Sequence, residues 1–494
     1  MSKVRIRLIL FLLTTFASMT QLNEILLNQS DARLKRLVDF IFLAWILTLP
    51  FGSNLMRISI GFLTIYPNLL FTFFLLPVAL LTFKKWGKLE LLSSCFLFVW
   101  ILFGIFMARN SSYSKESVFD IRSLVMQFFF AIVLISSYHF IGKEQFTKNV
   151  IRGLRCFLFI LLTAGILEFL TGIHFYGTKT NELLSLPVGN IFYAPLFIYD
   201  NPNDYLSYLI FVFLMLIIFD EQLKSSRLLQ LFISLILLLF SFYADSTFAK
   251  MIAFGLISFQ LILALFSNLK SSNKSSFFIY FISIILFLIT ILNNQLFLGP
   301  KYENSANYRL NGVQIIIENK GQIQVISAKE KLSEPKQAQV IRYLDSVNTK
   351  SPEGSTNLRK NLILVGLDFI KSAPVFGIGP GGFALKIKQN EHKKFVHTHT
   401  SPHNLPIEII SQFGIFGWIY FGLIAFICLK ICLLQKRLKT NDKISFLFLL
   451  FALPLLWMMP SAYLYLSIHW LFLPLLLIKL LLIQEKTNLD ERKQ

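Results

Sequence analysis

The chain alternates long apolar runs with short polar breaks along almost its whole length. The runs are about 17–25 residues long, enough for an α-helix to cross a hydrocarbon core of about 30 Å. They predict twelve crossings, at approximately 37–54, 60–82, 91–108, 122–141, 152–171, 204–219, 228–244, 247–266, 277–293, 406–433, 444–460 and 463–483. The expected fold class is an all-α polytopic membrane protein of about 12 transmembrane helices, with one large extracytoplasmic loop between spans nine and ten. Leu8 to Gln21 is a further apolar stretch behind Lys3, Arg5 and Arg7. It reads as a signal peptide, a thirteenth span or an in-plane amphipathic segment. Arg33, Lys35 and Arg36 follow it, and the charge bias then favours the in-plane segment on the cytoplasmic face.

Lysine and arginine orient this path, because short cytoplasmic loops carry the excess of both. Lys84, Lys85 and Lys88 fall on one side, with Lys143, Lys148, Arg152 and Arg155. So do Lys224, Arg227, Lys270, Lys274 and the cluster Lys436, Arg437, Lys439 and Lys443. The opposite short loops hold only scattered charges, such as Arg57, Arg109, Lys115, Arg122 and Lys179. Both termini are therefore expected in the cytoplasm, and the loops at 172–203 and 294–405 outside it. The expected organisation is a cytoplasmic segment at 1–36, nine spans in 37–293, the extracytoplasmic loop at 294–405, three spans in 406–483 and a cytoplasmic tail at 484–494.

The long loop changes character along its length. Val313 to Ile317 and Ile323 to Ile326 are strand-like. From Asn357 to Ala373 the apolar positions Leu358, Leu362, Val365, Phe369 and Ile370 recur at helical spacing, which predicts an amphipathic helix stopped by Pro374.

Composition supports the membrane reading. The 494 residues are 55% hydrophobic and include 53 phenylalanines, and mean hydropathy is +0.63, above the range of soluble domains. A formal charge of +20 suggests nucleic acid, but the cations sit in short loops between apolar runs, where topology accounts for them. Cys95, Cys156, Cys428 and Cys432 all lie in apolar segments, so no disulfide framework is implied. Cys428 and Cys432 share a helix face, a poor basis for a metal site.

Candidate chemistry collects in the loop. Gly377, Gly379 and Gly382 spell GxGxxG, but without the preceding strand or later acidic residue of a dinucleotide site. Two readings stay open for the run from Gly377 through Gly379 and Gly381: a tight, phosphate-approachable turn, or a purely structural one. His397, His399 and His403 form HxHxxxH, yet no cysteine or aspartate completes a zinc set, so no metal and no cofactor is expected. Two readings then remain, solvated loop histidines with no task or acid–base chemistry by one of them, for which His403 is the best candidate. Ser401-Pro402 reads as a helix start with Ser401 as N-cap and Pro402 first in the helix, which puts His403 in the first turn. The positive end of a helix disfavours an imidazolium, so the ring should stay neutral and able to accept a proton. Asn404 is placed to orient that ring or a substrate hydroxyl. Arg359 opens the amphipathic helix, and Lys250 follows Asp245-Ser246-Thr247 at the outer end of the eighth span. Both are candidates for an anionic leaving group, and both have a bland alternative in snorkelling to the interface. Tyr66, Glu168 and Asn201-Pro202-Asn203-Asp204 also lie near the outer face, with nothing specific in their spacing.

Several of these stretches together resemble the O-antigen ligase and O-antigen polymerase superfamily of bacterial envelope glycan enzymes. The resemblance rests on Arg359, on Pro374 through Phe383, on Ser401-Pro402-His403-Asn404 and on Glu408 through Gly417, with the Asn201-Pro202-Asn203 turn in addition. It implies transfer of a glycan from undecaprenyl diphosphate to a hydroxyl acceptor at the outer face of the inner membrane, without a metal. The family's external histidine, matching His403, would activate the acceptor. Its loop arginine, matching Arg359, would hold the diphosphate. The implied partners are the undecaprenyl-diphosphate-linked glycan, a lipid A-core or growing glycan acceptor and membrane lipids, with no nucleic acid. The implied substrate-binding set is Lys250, Asn404, Gly377, Gly379, Gly381 and His399, beside catalytic His403 and Arg359. The chain departs from the family at Ser246-Thr247-Phe248-Ala249-Lys250, where Ser-Arg-Gly is common. Lys250 would supply the charge there as a point charge without bidentate geometry. Ligase and polymerase differ only in the acceptor. A lipid-linked oligosaccharide transporter is the alternative from another class, disfavoured because ionisable residues deep in the spans are sparse.

Overall fold

The structure is a computed structural model. It describes residues 32–49, 58–60, 63–65, 67–109, 114–171, 202–220, 226–244, 246–268, 305–310, 313–318, 323–327, 355–389, 401–434, 440–459 and 467–493, with a few isolated positions between them. The stretch 8–21, Tyr66, His397 and His399 lie outside the described residues, as does the ninth expected span at 277–293 apart from isolated positions.

The apolar runs form helices as their length and composition require. In order these are α1 (Ala32–Thr48), α2 (Pro67–Thr82), α3 (Lys88–Ala108), α4 (Lys115–Ile141), α5 (Lys143–Thr171), α6 (Pro202–Phe219), α7 (Arg227–Tyr243) and α8 (Thr247–Asn268). They continue as α9 (Ser355–Ser372), α10 (Gly382–Lys388), α11 (Leu405–Phe413), α12 (Ile415–Leu434), α13 (Thr440–Leu456) and α14 (Ser467–Lys493). Among the described residues, six are long and apolar enough to cross a membrane: α2 with the turn that extends it to Lys85, α3, α4, α5, α6 and α12. Shorter apolar stretches lie in α7, α8 and α13.

The architecture is helical, with small antiparallel strands between helices. Strands β1 (Ile58–Ile60) and β2 (Leu63–Ile65) pair with Ile58 opposite Ile65. They occupy the start of the second expected span. The helix instead begins at Pro67, where a ring-fixed φ and a missing N–H suit a first helical position. Strands β3 (Ser305–Leu310), β4 (Val313–Glu318) and β5 (Ile323–Ser327) form one sheet in that order; β4 and β5 fall on the two runs that read as strand-like, and β3 was not anticipated. Two further boundaries differ from expectation. The tenth span is not continuous, because the chain breaks at Gly414 between α11 and α12. The last helix runs on to Lys493, through most of the segment expected to be a tail.

Burial follows the distribution of apolar side chains around each helix. In α6 every residue from Tyr205 to Phe219 is buried, as expected for a helix hydrophobic on all faces. It is the central element, with α5, α7, α8, α13 and α14 packed around it. Helices α3 and α5 keep an exposed apolar side, with Phe98, Phe106, Phe159 and Leu170 facing outward, as a lipid-facing surface does. Polar bonds concentrate at one end of the bundle. There Asn149 Nδ2 donates to Asp39 Oδ1 at 2.6 Å, and Arg155 Nη2 to Asp220 Oδ1 at 2.7 Å. His139 Nε2 meets Glu90 Oε1 at 2.7 Å. Lys479 Nζ donates to the Ile218 carbonyl at 2.8 Å, closing the end of α6. The opposite end carries α9–α11.

Candidate active site

Helix α9 is amphipathic as its spacing predicts. Leu362, Val365 and Phe369 are buried in a small cluster with Phe383 and Ile387 of α10, and the Phe369 and Phe383 rings meet edge-on at 5.5 Å. It also packs on α11. At Gly366 an added Cβ would lie 2.2 Å from Ile407 Cγ2, so the missing side chain sets how closely the two helices approach.

The glycine-rich turn after α9 closes the far end of α11. A helix leaves its last carbonyls without intrahelical donors. Here the Ser411 carbonyl accepts from the Ile378 amide at 2.8 Å and the Gln412 carbonyl from the Gly379 amide at 3.0 Å. The Ile415 amide donates back to the Val375 carbonyl at 2.8 Å. The seam needs bare backbone on both sides. A Cβ on Gly377 would sit 2.4 Å from the Gln412 oxygen, and one on Gly414 2.2 Å from the Val375 oxygen. The Gly377 amide is taken by the Ala373 carbonyl and the Gly381 amide by Asp120 Oδ2. All three glycines named as a phosphate turn therefore give their amides to the protein, which is the structural reading of the two left open.

The entry to α11 corrects one expectation. The N-cap is Asn404, not Ser401: its side chain accepts from the Ile407 amide at 3.0 Å, and Pro406 rather than Pro402 lies in the first turn. Its neighbour His403 has φ 49°, a left-handed conformation that cannot continue a right-handed helix back to Pro402. The half-buried His403 thus sits just before the helix instead of in its first turn. The Leu405 amide donates to the Trp457 carbonyl at 3.0 Å, anchoring this entry on the end of α13.

Two cations from separate elements converge on the ends of α7 and α8. The Arg359 guanidinium carbon lies 5.9 Å from the centroid of Phe248, in the first turn of α8. Lys250 Nζ, half a turn further on, lies 4.9 Å from the centroid of Phe242 in the last turn of α7. Aromatic faces attract such cations and hold them in place. Helices α9 and α11 run in the same direction, since Gly366 meets Ile407 and Val375 meets Ile415. Arg359 lies two turns before the first of these contacts and His403 one turn before it, so both stand at the same end of the pair.

Of the other expected groups, Glu168 is wholly buried and its Oε2 accepts from the Phe197 amide at 2.8 Å, which ties it to the scaffold. Pro202 opens α6. Among the described residues, no three His, Cys, Asp or Glu side chains gather as metal ligands would. Sequence reasoning missed Phe242 and Phe248 because phenylalanine is everywhere in this chain. It also missed Asp120, whose signal was a carboxylate one turn beyond Glu116 at the start of an otherwise apolar helix.

No curated protein matches the chain. Residues 233–422 match the family model described as O-antigen ligase, a range that holds Phe242, Lys250, Arg359, the glycine turn and His403. In this region the chain is similar to the O-antigen ligase family.

Proposed function

We propose that the protein transfers a glycan from undecaprenyl diphosphate to a hydroxyl acceptor at the outer face of a bacterial inner membrane, as an O-antigen ligase does. The carrying observation is that Arg359 and Lys250, from different elements, rest on the rings of Phe248 and Phe242 respectively. A histidine stands at the same end of α9 and α11. In this reading the acceptor oxygen attacks the anomeric carbon and gives its proton to His403. The carbon–oxygen bond to the diphosphate breaks with inversion, and Arg359 and Lys250 stabilise the charge left on the leaving group. Asn404 caps α11 with its side-chain oxygen, so its part is to hold the helix entry beside His403. Gly377, Gly379 and Gly381 frame the site from the seam, and His399 remains a candidate for acceptor contact. The aromatic, weakly charged outer faces of the helices suit a polyprenyl chain.

The test is turnover of the producing strain's own lipid-linked glycan by purified His403→Ala and Arg359→Ala protein. Both should fold and lose about 10²–10⁴-fold in rate. Undiminished turnover in both would remove the assignment. Glycans of a deletion strain then identify the acceptor: single-repeat caps indicate a polymerase, and free lipid-linked polymer indicates a ligase.

A further inference from the structure

The proposed chemistry places its cation on α9 and its base at the entry to α11, two helices whose register is set by the glycine turn between them. That turn is also fastened to a third element. Asp120, in the second turn of α4, is buried, and its Oδ2 accepts from the Gly381 amide at 2.6 Å. Ser117, one turn earlier, is wholly buried and donates its hydroxyl to the Pro380 carbonyl at 2.7 Å. Glu116 takes Lys388 of α10 on the outside of the same contact. The approach leaves no slack, since a Cβ on Gly381 would lie 2.4 Å from the Ser117 amide nitrogen. Burying a carboxylate in an apolar bundle is unfavourable unless it is paired. Here its oxygen is directed at a backbone amide in left-handed geometry, at φ 69°.

We propose that Asp120, assisted by Ser117, is a positioning residue of the transferase: it locks the 377–381 turn to α4, and the turn sets the register of α9, which carries Arg359, against α11, whose entry carries His403. This rests on the function proposed above. Asp120 acts through the turn and not on the substrate, and small displacements of reacting groups are enough to cost large factors in rate.

The experiment compares Asp120→Ala, Asp120→Asn and Ser117→Ala, each normalised to folded, monodisperse protein. The reaction is the one above, with spin labels on exposed Lys115 and Lys371 reporting the distance between α4 and the end of α9. Asp120→Ala should lose about 10–100-fold in kcat and broaden the distance distribution. Asp120→Asn keeps an oxygen for the Gly381 amide and should recover most of the rate and the narrow distribution. Ser117→Ala should give a smaller loss of the same kind, and it carries the test if Asp120→Ala does not fold. Per-molecule rates within twofold of the parent in both alanine variants, or an unchanged distribution beside a lost rate, would overturn the inference. Because His403→Ala and Arg359→Ala are assayed alongside, inactive versions of those two with an active Asp120→Ala refute the positioning role alone. Active versions of those two refute the functional reading beneath it.

Discussion

His403 carries two separable properties, an imidazole and a left-handed backbone. An L-residue with a Cβ pays about 1 kcal/mol or more in that region, while glycine does not. His403→Gly should therefore hold or raise the unfolding temperature in detergent while turnover falls by about 10²–10⁴-fold. A glycine variant that kept more than a tenth of the parent rate would move the proton acceptor elsewhere. Asn tolerates the same backbone, so His403→Asn makes a second folded, inactive control beside alanine. Lys250 poses a different question, because a guanidinium stacks on an aromatic face better than an ammonium does and grips phosphate oxygens in pairs. Lys250→Arg on the Phe242 platform should match or exceed the parent rate, and Lys250→Ala should fall by about 10–100-fold, near the loss of one electrostatic donor. Equal rates for lysine and alanine would return this residue to simple interfacial snorkelling. The sequence exposed both residues. It did not expose their platforms, because nothing in a chain with 53 phenylalanines marks out Phe242 or Phe248.

The helices themselves were legible from the apolar runs, and α9 was legible from its spacing down to Leu362, Val365 and Phe369. The break at Gly414 was not. A glycine inside a long apolar run reads as tolerated, and only the close approach of the Val375 carbonyl and the Gly377 amide across the seam requires bare backbone there. Gly414→Ala meets the Val375 oxygen at 2.2 Å and a φ of 55° together, so it should destabilise by about 2–4 kcal/mol. Thermal unfolding of the detergent-solubilised variant measures this, and a loss below about 0.5 kcal/mol would mean the seam is loose. At the opposite end Asp220 follows α6. Burial pushes its carboxyl up, but the Arg155 guanidinium and the amides of Leu223 and Gln222 outweigh this and hold it below the usual carboxylate range. With the folded value depressed, its contribution is present above the unfolded value near 3.9 and is lost as pH falls through the lower folded one. Arg155→Ala should cost about 1–3 kcal/mol at neutral pH, the buried-pair figure reduced because Arg155 is half exposed. The gap between parent and variant should close in acid, and a gap that widened there would reverse the assignment.

Taken as a whole, the molecule sorts its contacts into two ends. The end of α3, the start of α4, the start of α8 and the end of α13 all touch α9–α11 or the turn between them, through Met107, Asp120, Phe248 and Trp457. Consecutive antiparallel crossings bring those particular termini to one side, so each contact independently supports the same alternation. The opposite end carries Asp39 with Asn149, Glu90 with His139, Arg155 with Asp220, and Lys143 with Glu485 at 3.2 Å. These lie among the loops that lysine and arginine counting assigned to the cytoplasm. The pairs themselves were invisible in sequence, since Lys143 and Glu485 are separated by most of the chain, whereas charge counting needs no knowledge of contacts. An ion-rich end opposite the glycine turn makes the side of each end testable. In a protein with Cys95, Cys156, Cys428 and Cys432 replaced, single cysteines at exposed Lys371 and Lys148 report one end each. A membrane-impermeant maleimide added to intact spheroplasts should label position 371 fully and position 148 only after lysis. The reverse pattern would put the histidine with the cytoplasmic lysines, and the charge rule, the alternation and the proposed chemistry would fail together.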